Sequence, residues 1–203
     1  MYSYLSISDT STFLYKDKGS KFIGYAFPCN SIDDIHNILE YVHQIHPKAT
    51  HHCYAYRLGL NKTNFRTYDD GEPSNTAGKP ILGQIDALQL SNVLVIIVRY
   101  YGGTKLGVGG LIEAYRTTAL HTLSHAQIIE KSLFDTIQFT TDYTRQQDIY
   151  TIIRRYEGII ESTDLTEKNC VIIVKIPSKY NININSFVSE YPFLYTQVIS
   201  RLM

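Results

Sequence analysis

Two stretches of this 203-residue chain gather residue types that can do chemistry. RYYGGTKLGVGG, from Arg99 to Gly110, holds Gly102, Gly103, Gly107, Gly109 and Gly110 beside Arg99, Lys105, Tyr100 and Tyr101. Free backbone N–H groups at a helix start, with cations nearby, suit an anion. The two familiar nucleotide spellings fail, however. GxxxxGK[ST] needs Lys directly after its last glycine, and Lys105 falls mid-loop; GxGxxG begun at Gly107 meets Ile112 instead of a third glycine. A plainer reading is that the glycines serve positive φ and close helix packing. DDGEPSNTAGKP, from Asp69 to Pro80, crowds Asp69, Asp70 and Glu72 with Ser74, Asn75, Thr76 and Lys79. These hard oxygen donors could hold magnesium, and they equally fit a surface turn.

Other combinations are weaker. His51 and Cys53 share one face of a strand, but nothing marks Cys53 as an activated thiol. His121 and His125 stand one helical turn apart without the remaining ligands of a zinc site, and no GxSxG elbow occurs.

The elements that must position these residues follow from periodicity. Strands are expected on both sides of Asp17–Gly19 and over HHCYAYRLG, and an amphipathic helix from Ser31 to His46, with Ser31 as N-cap. A long polar loop is expected from Asn61 to Gly78, then a short helix over Pro80–Leu90. The apolar run Val93–Val98 reads as a buried strand. The glycine loop follows it, then a helix from Leu111 to Ala126 that buries Leu111, Tyr115, Ala119, Leu123 and Ala126. From Lys131 the pattern restarts as βαββαβ. It comprises a strand Leu133–Phe139, a helix carrying Ile149, Ile152, Ile153 and Tyr156 and capped by Gly158, strands Ile159–Leu165 and Cys170–Ile176, a weak helix over Asn183–Glu190, and a strand Leu194–Leu202. The expected organisation is therefore two α+β domains, 1–130 and 131–203.

Composition narrows the function. Lys plus Arg and Asp plus Glu are equal at 19 each, so a protein that wraps duplex DNA is disfavoured, and nucleic-acid contact must use a local patch. No signal-peptide pattern opens the chain, no run is long enough to span a membrane, and three dispersed cysteines do not make a disulfide framework. A soluble cytoplasmic protein with no membrane contact is expected.

KGSKFIGYAFP, HHCYAYRLG, DDGEPSNTAGKPIL and VRYYGGTKLGVGGLIEAYRTTA, in that order, closely resemble the IMPACT/YigZ family over Lys18 to Ala126. The resemblance implies a ribosomal protein S5 domain 2-like fold first and a ferredoxin-like domain second, both similar to domains of the translocation factor EF-G. It links eukaryotic members to control of translational initiation, through competition for the co-activator of a stress kinase. Those members carry an extra N-terminal domain for which there is no room before Lys18, so their mechanism is not expected here. Asn75 replaces the glycine more usual in EPSGTAG. The expected function is a non-enzymatic, translation-associated regulator that binds RNA or the ribosome and needs no cofactor. Its candidate contacts are Lys21, His51, Tyr54, Asp70, Glu72, Ser74, Thr76, Lys79, Arg99, Tyr100, the five loop glycines, Lys105, Glu113 and Arg116, with Tyr100 or Tyr101 to stack a base. Two alternatives stay open. One is a magnesium-dependent phosphoester hydrolase using Asp69, Asp70 and Glu72, with Lys105 or Arg116 on phosphate; the other is a protein-interaction regulator.

Overall fold

The computed structural model describes residues 2–60, 63–166, 169–180, 190–191 and 194–201. The chain divides into two compact units, Tyr4–Glu130 and Met1–Ser3 with Lys131–Met203. It is an α+β protein.

The larger unit is built on an antiparallel five-stranded sheet of β2 (Ser11–Asp17), β3 (Ser20–Pro28), β6 (Val93–Tyr100), β4 (His51–Leu58) and β5 (Asn64–Tyr68), in that spatial order. The apolar run of β6 is central because both of its faces are covered, and Val93 through Val98 are fully buried. Its odd-numbered side chains meet α2 (Gly78–Ala87) and α3 (Gly107–Ser124) in one core. Its even-numbered side chains meet α1 (Ile32–Ile45) in another. Pleating thus sends successive residues to opposite compartments, which decides what can reach the site. α1 begins with Ser31 and Asp34 in a reciprocal capping box.

Several elements differ from expectation. The polar stretch after Leu58 contains β5, whose register with β4 pairs Tyr54 with Tyr68 and Leu58 with Asn64. As an edge strand with largely exposed residues, it carries no apolar alternation for periodicity to detect. α3 starts at Gly107 rather than Leu111, so three loop glycines form its first turn. Two short strands were not anticipated: β1 (Ser3–Ile7) and β7 (Ile128–Ser132), which pair with each other.

The second unit is an antiparallel sheet in the order β11 (Tyr195–Arg201), β8 (Phe134–Asp142), β10 (Asn169–Pro177), β9 (Ile159–Leu165). α4 (Gln146–Arg155) buries Ile149, Ile152 and Ile153 against Ile137, Phe139, Ile172 and Val174. Gly158 is not the left-handed residue after α4. Glu157 adopts φ 51°, while the Gly158 N–H bonds to the Ile153 carbonyl at 2.8 Å. The glycine is needed because a Cβ there would lie 2.7 Å from Val174 Cγ1. The helix expected over 183–190 lies outside the described residues, apart from Glu190 at its end.

Candidate functional site

The acidic turn is built by its own first carboxylate. Asp69 Oδ1 accepts the N–H groups of Ala77 and Gly78 at 3.0 and 2.8 Å, and Oδ2 accepts that of Asn75 at 2.9 Å. These bonds fold the turn back and cap the start of α2, where a carboxylate is favoured. Asp70, at φ 44°, accepts the His52 backbone N–H at 2.6 Å, which pins the turn to β4. Asn75 sits at φ 63°, a left-handed position that explains why an asparagine can stand where relatives more often have glycine. Thr76 donates its hydroxyl to the Pro73 carbonyl at 2.6 Å.

Folded this way, the turn delivers Glu72 to the end of β6. Glu72 Oε1 accepts from Arg99 Nη1 at 2.6 Å and from the Tyr115 hydroxyl at 2.8 Å, and His51 Nε2 stands 3.8 Å away. Arg99 and Glu72 side chains are 6% and 4% exposed, so the two charges compensate each other out of water. Arg99 also reaches Ser20 Oγ at 3.4 Å and lies over the Phe22 and Tyr101 rings. His51 Nδ1 is 2.7 Å from the Asp70 carbonyl, which can only accept, so Nδ1 carries the hydrogen and Nε2 is the free position of the neutral ring. Behind this layer, Cys53 Sγ bonds to the Tyr115 hydroxyl and the Asp69 carbonyl. Burial pushes the Cys53 thiol and the Tyr115 phenol far above their usual ranges, so both stay protonated.

The glycine loop closes the other side. Gly102 packs on the turn between β2 and β3 so tightly that a Cβ would lie 1.9 Å from the Gly19 carbonyl carbon. Its N–H and Arg99 both use Ser20 Oγ. α3 then begins with neither a side-chain cap nor an acid in its first turn. Together the two stretches enclose a groove of about 520 Å³. Glu72, Pro73, His51 and Arg99 line it on one side; Tyr101, Lys105, Gly107, Val108 and Leu111 line it on the other.

This sorts the candidate residues. His51, Glu72, Arg99, Lys105 and Gly107 converge. Tyr101, rather than Tyr100, is the tyrosine of the groove. Tyr100 is on the opposite face, where its hydroxyl meets His46 Nδ1 at 3.0 Å. Tyr54 packs in the α1 compartment, and Lys21 lines a separate depression with Gly19 and Tyr100. Glu113 and Arg116 pair with each other at 2.7 Å on the exposed side of α3. Ser74, Lys79, Gly103, Gly109 and Gly110 are not among the groove-lining residues; Ser74 accepts from Asn75 at 3.1 Å. Asp69 and Asp70 serve the fold of the turn. His121 and His125 stack on Phe13. Tyr115 and Thr50 belong to the site and were missed. Tyr115 was read only as core, and Thr50 precedes a strand with no pattern of its own.

The Impact N-terminal domain model matches residues 18–123, which contain the whole groove. An IMPACT family member of Haemophilus influenzae is 32% identical over 195 residues, covering 94% of this chain and 91% of that protein. This chain belongs to the IMPACT family. The rat Protein IMPACT matches more narrowly, at 32% identity over 94 residues, 45% of this chain and 30% of that protein. A solved structure described as a hypothetical protein aligns with TM-score 0.74 at 26% identity, over 98% of each chain. The bacterial IMPACT relative therefore shares both units, and the rat one under half of the chain.

Proposed function

We propose that this IMPACT family protein is a non-enzymatic, cytoplasmic regulator of translation that binds RNA or the ribosome through the groove of its first domain. The observation that carries this reading is the convergence of both family stretches on one groove. Arg99 is neutralised by Glu72, leaving Lys105 and the positive end of α3 as uncompensated charge. Tyr101, 47% exposed, offers a ring to a base at the same rim. A local cationic groove reconciles nucleic-acid contact with a neutral chain.

The domains are read as 1–130, ribosomal protein S5 domain 2-like, and 131–203, ferredoxin-like. Supporting the second is the antiparallel strand order 4-1-3-2 with α4 between its first two strands. The hydrolase alternative is disfavoured because each of the three carboxylates is already engaged in protein hydrogen bonds.

The test is fluorescence anisotropy of a labelled single-stranded RNA over a salt series. Lys105→Glu should abolish binding, and Arg116→Glu, outside the groove, should lower affinity less than threefold. Equal losses in the two variants, or no binding by the wild type, would reject the reading.

A further inference from the structure

We infer that the groove is a receptor for a terminal phosphate monoester, with the dianion seated on the first turn of α3 between Lys105 and Arg99. This deepens the proposed function and rests on the groove being its binding surface.

Three observations carry it. First, the N–H groups of Gly107, Val108 and Gly109 belong to the part of a helix that has no intrahelical acceptor. No side chain caps them, and the first turn holds no acid. Lys105 lies just before that positive helix end, and among the described residues no carboxylate pairs with it. A cation there is unfavourable to the free helix and becomes favourable once an anion arrives.

Second, Arg99 Nε is buried without an acceptor, although the side chain is 6% exposed and its Nη atoms are engaged with Glu72 and Ser20. A buried donor without a partner is costly. Arg99 lines the same groove as Gly107 and Val108, so an anion on the helix end is the group that can relieve it. Third, Gly109 has helical backbone and nothing within 4 Å of a Cβ. Neither packing nor conformation asks for glycine at this site, whereas unobstructed approach of a ligand to the helix end does.

The donor number favours a monoester over an internal diester. Three first-turn N–H groups, the Lys105 ammonium and Arg99 Nε exceed what two non-bridging oxygens accept. A monoester brings three oxygens and close to two negative charges. The buried Arg99–Glu72 floor also suits the end of a ligand better than a chain passing through. The monoester can come from a free nucleotide or from the 5′ end of an RNA.

Both sources are tested by calorimetric titration of the full chain with inorganic phosphate, AMP, adenosine, and one RNA hexamer with either a 5′-phosphate or a 5′-hydroxyl. The 5′-phosphate hexamer should bind at least tenfold tighter than its 5′-hydroxyl twin, and AMP at least tenfold tighter than adenosine. Gly109→Asp, which sets a carboxylate on the same N–H groups, should weaken phosphate and AMP at least tenfold while melting no lower than wild type. Lys105→Ala, on an exposed side chain, should do the same should Gly109→Asp fail to fold. Equal binding of the two hexamers, both lost with Lys105→Ala, overturns the monoester and leaves RNA binding standing. AMP binding with neither hexamer bound supports the monoester and rejects RNA. Unchanged phosphate affinity in Gly109→Asp overturns the assignment.

Discussion

Glu72 and Arg99 meet at 2.6 Å with their side chains almost wholly buried, and this pair ties the acidic turn to the end of the central strand. Tyr115 shares the same carboxylate oxygen, so a strand, a turn and a helix depend on one contact. Everything that shapes the groove passes through it.

Removing one member should therefore cost more than the pair is worth. Glu72→Ala leaves the Arg99 guanidinium buried and unpaired, with an expected loss of about 3–5 kcal/mol. Glu72→Ala combined with Arg99→Met should recover much of it. Urea unfolding of the single and double variants checks this; a single variant within about 1 kcal/mol of wild type would contradict the role assigned.

The turn itself should depend on Asp69. Asp69→Ala deletes the acceptor for three N–H groups and should cost about 2 kcal/mol, comparable to a strong helix-cap loss. At φ 63°, Asn75→Gly should be neutral or slightly stabilising, while Asn75→Val should cost about 1–3 kcal/mol. Thermal melts separate the three variants.

Stability should fall as pH drops below neutrality. Burial, reinforced by His43, lowers the pKa of His52, and burial also lowers that of His46. With folded values below the ordinary imidazole value of about 6.5, the unfolded chain binds protons first. The contribution is complete above that value and is lost as pH falls through the folded values. The unfolding midpoint should decline between pH 7 and pH 5, and His52→Phe/His46→Phe should flatten that slope. An unflattened slope would assign the acid sensitivity elsewhere.

The three cysteines should be silent in the native state. Cys29, Cys53 and Cys170 are buried and unpaired by disulfides, and burial raises the thiols of Cys53 and Cys170. Thiol labelling at neutral pH should report no fast-reacting group until denaturant is added.

Sequence periodicity located α1, β4, β6 and the core stripe of α3, since each alternates or repeats against a buried surface. β5 escaped because an exposed edge strand has no apolar face to betray it, and the start of α3 escaped because glycine disguises a first turn. Within the site, Arg99 and Tyr100 are adjacent in sequence and looked equivalent. Strand pleating sends one into the groove and the other to His46, a distinction that needs the strand's facing and not only its composition. The carboxylates of the acidic turn looked like ligands because their spacing was dense. Their acceptors turn out to serve the backbone N–H groups of a tight fold, which no spacing rule reveals.

The most direct test of the central claim is an amide chemical-shift map of the ¹⁵N-labelled protein titrated with a short single-stranded RNA. The groove account expects Lys105, Gly107, Val108, Gly109 and the Arg99 Nε–H to move first, with Arg116 little affected. Shifts confined to the second unit, or none in the first turn of α3, would contradict it.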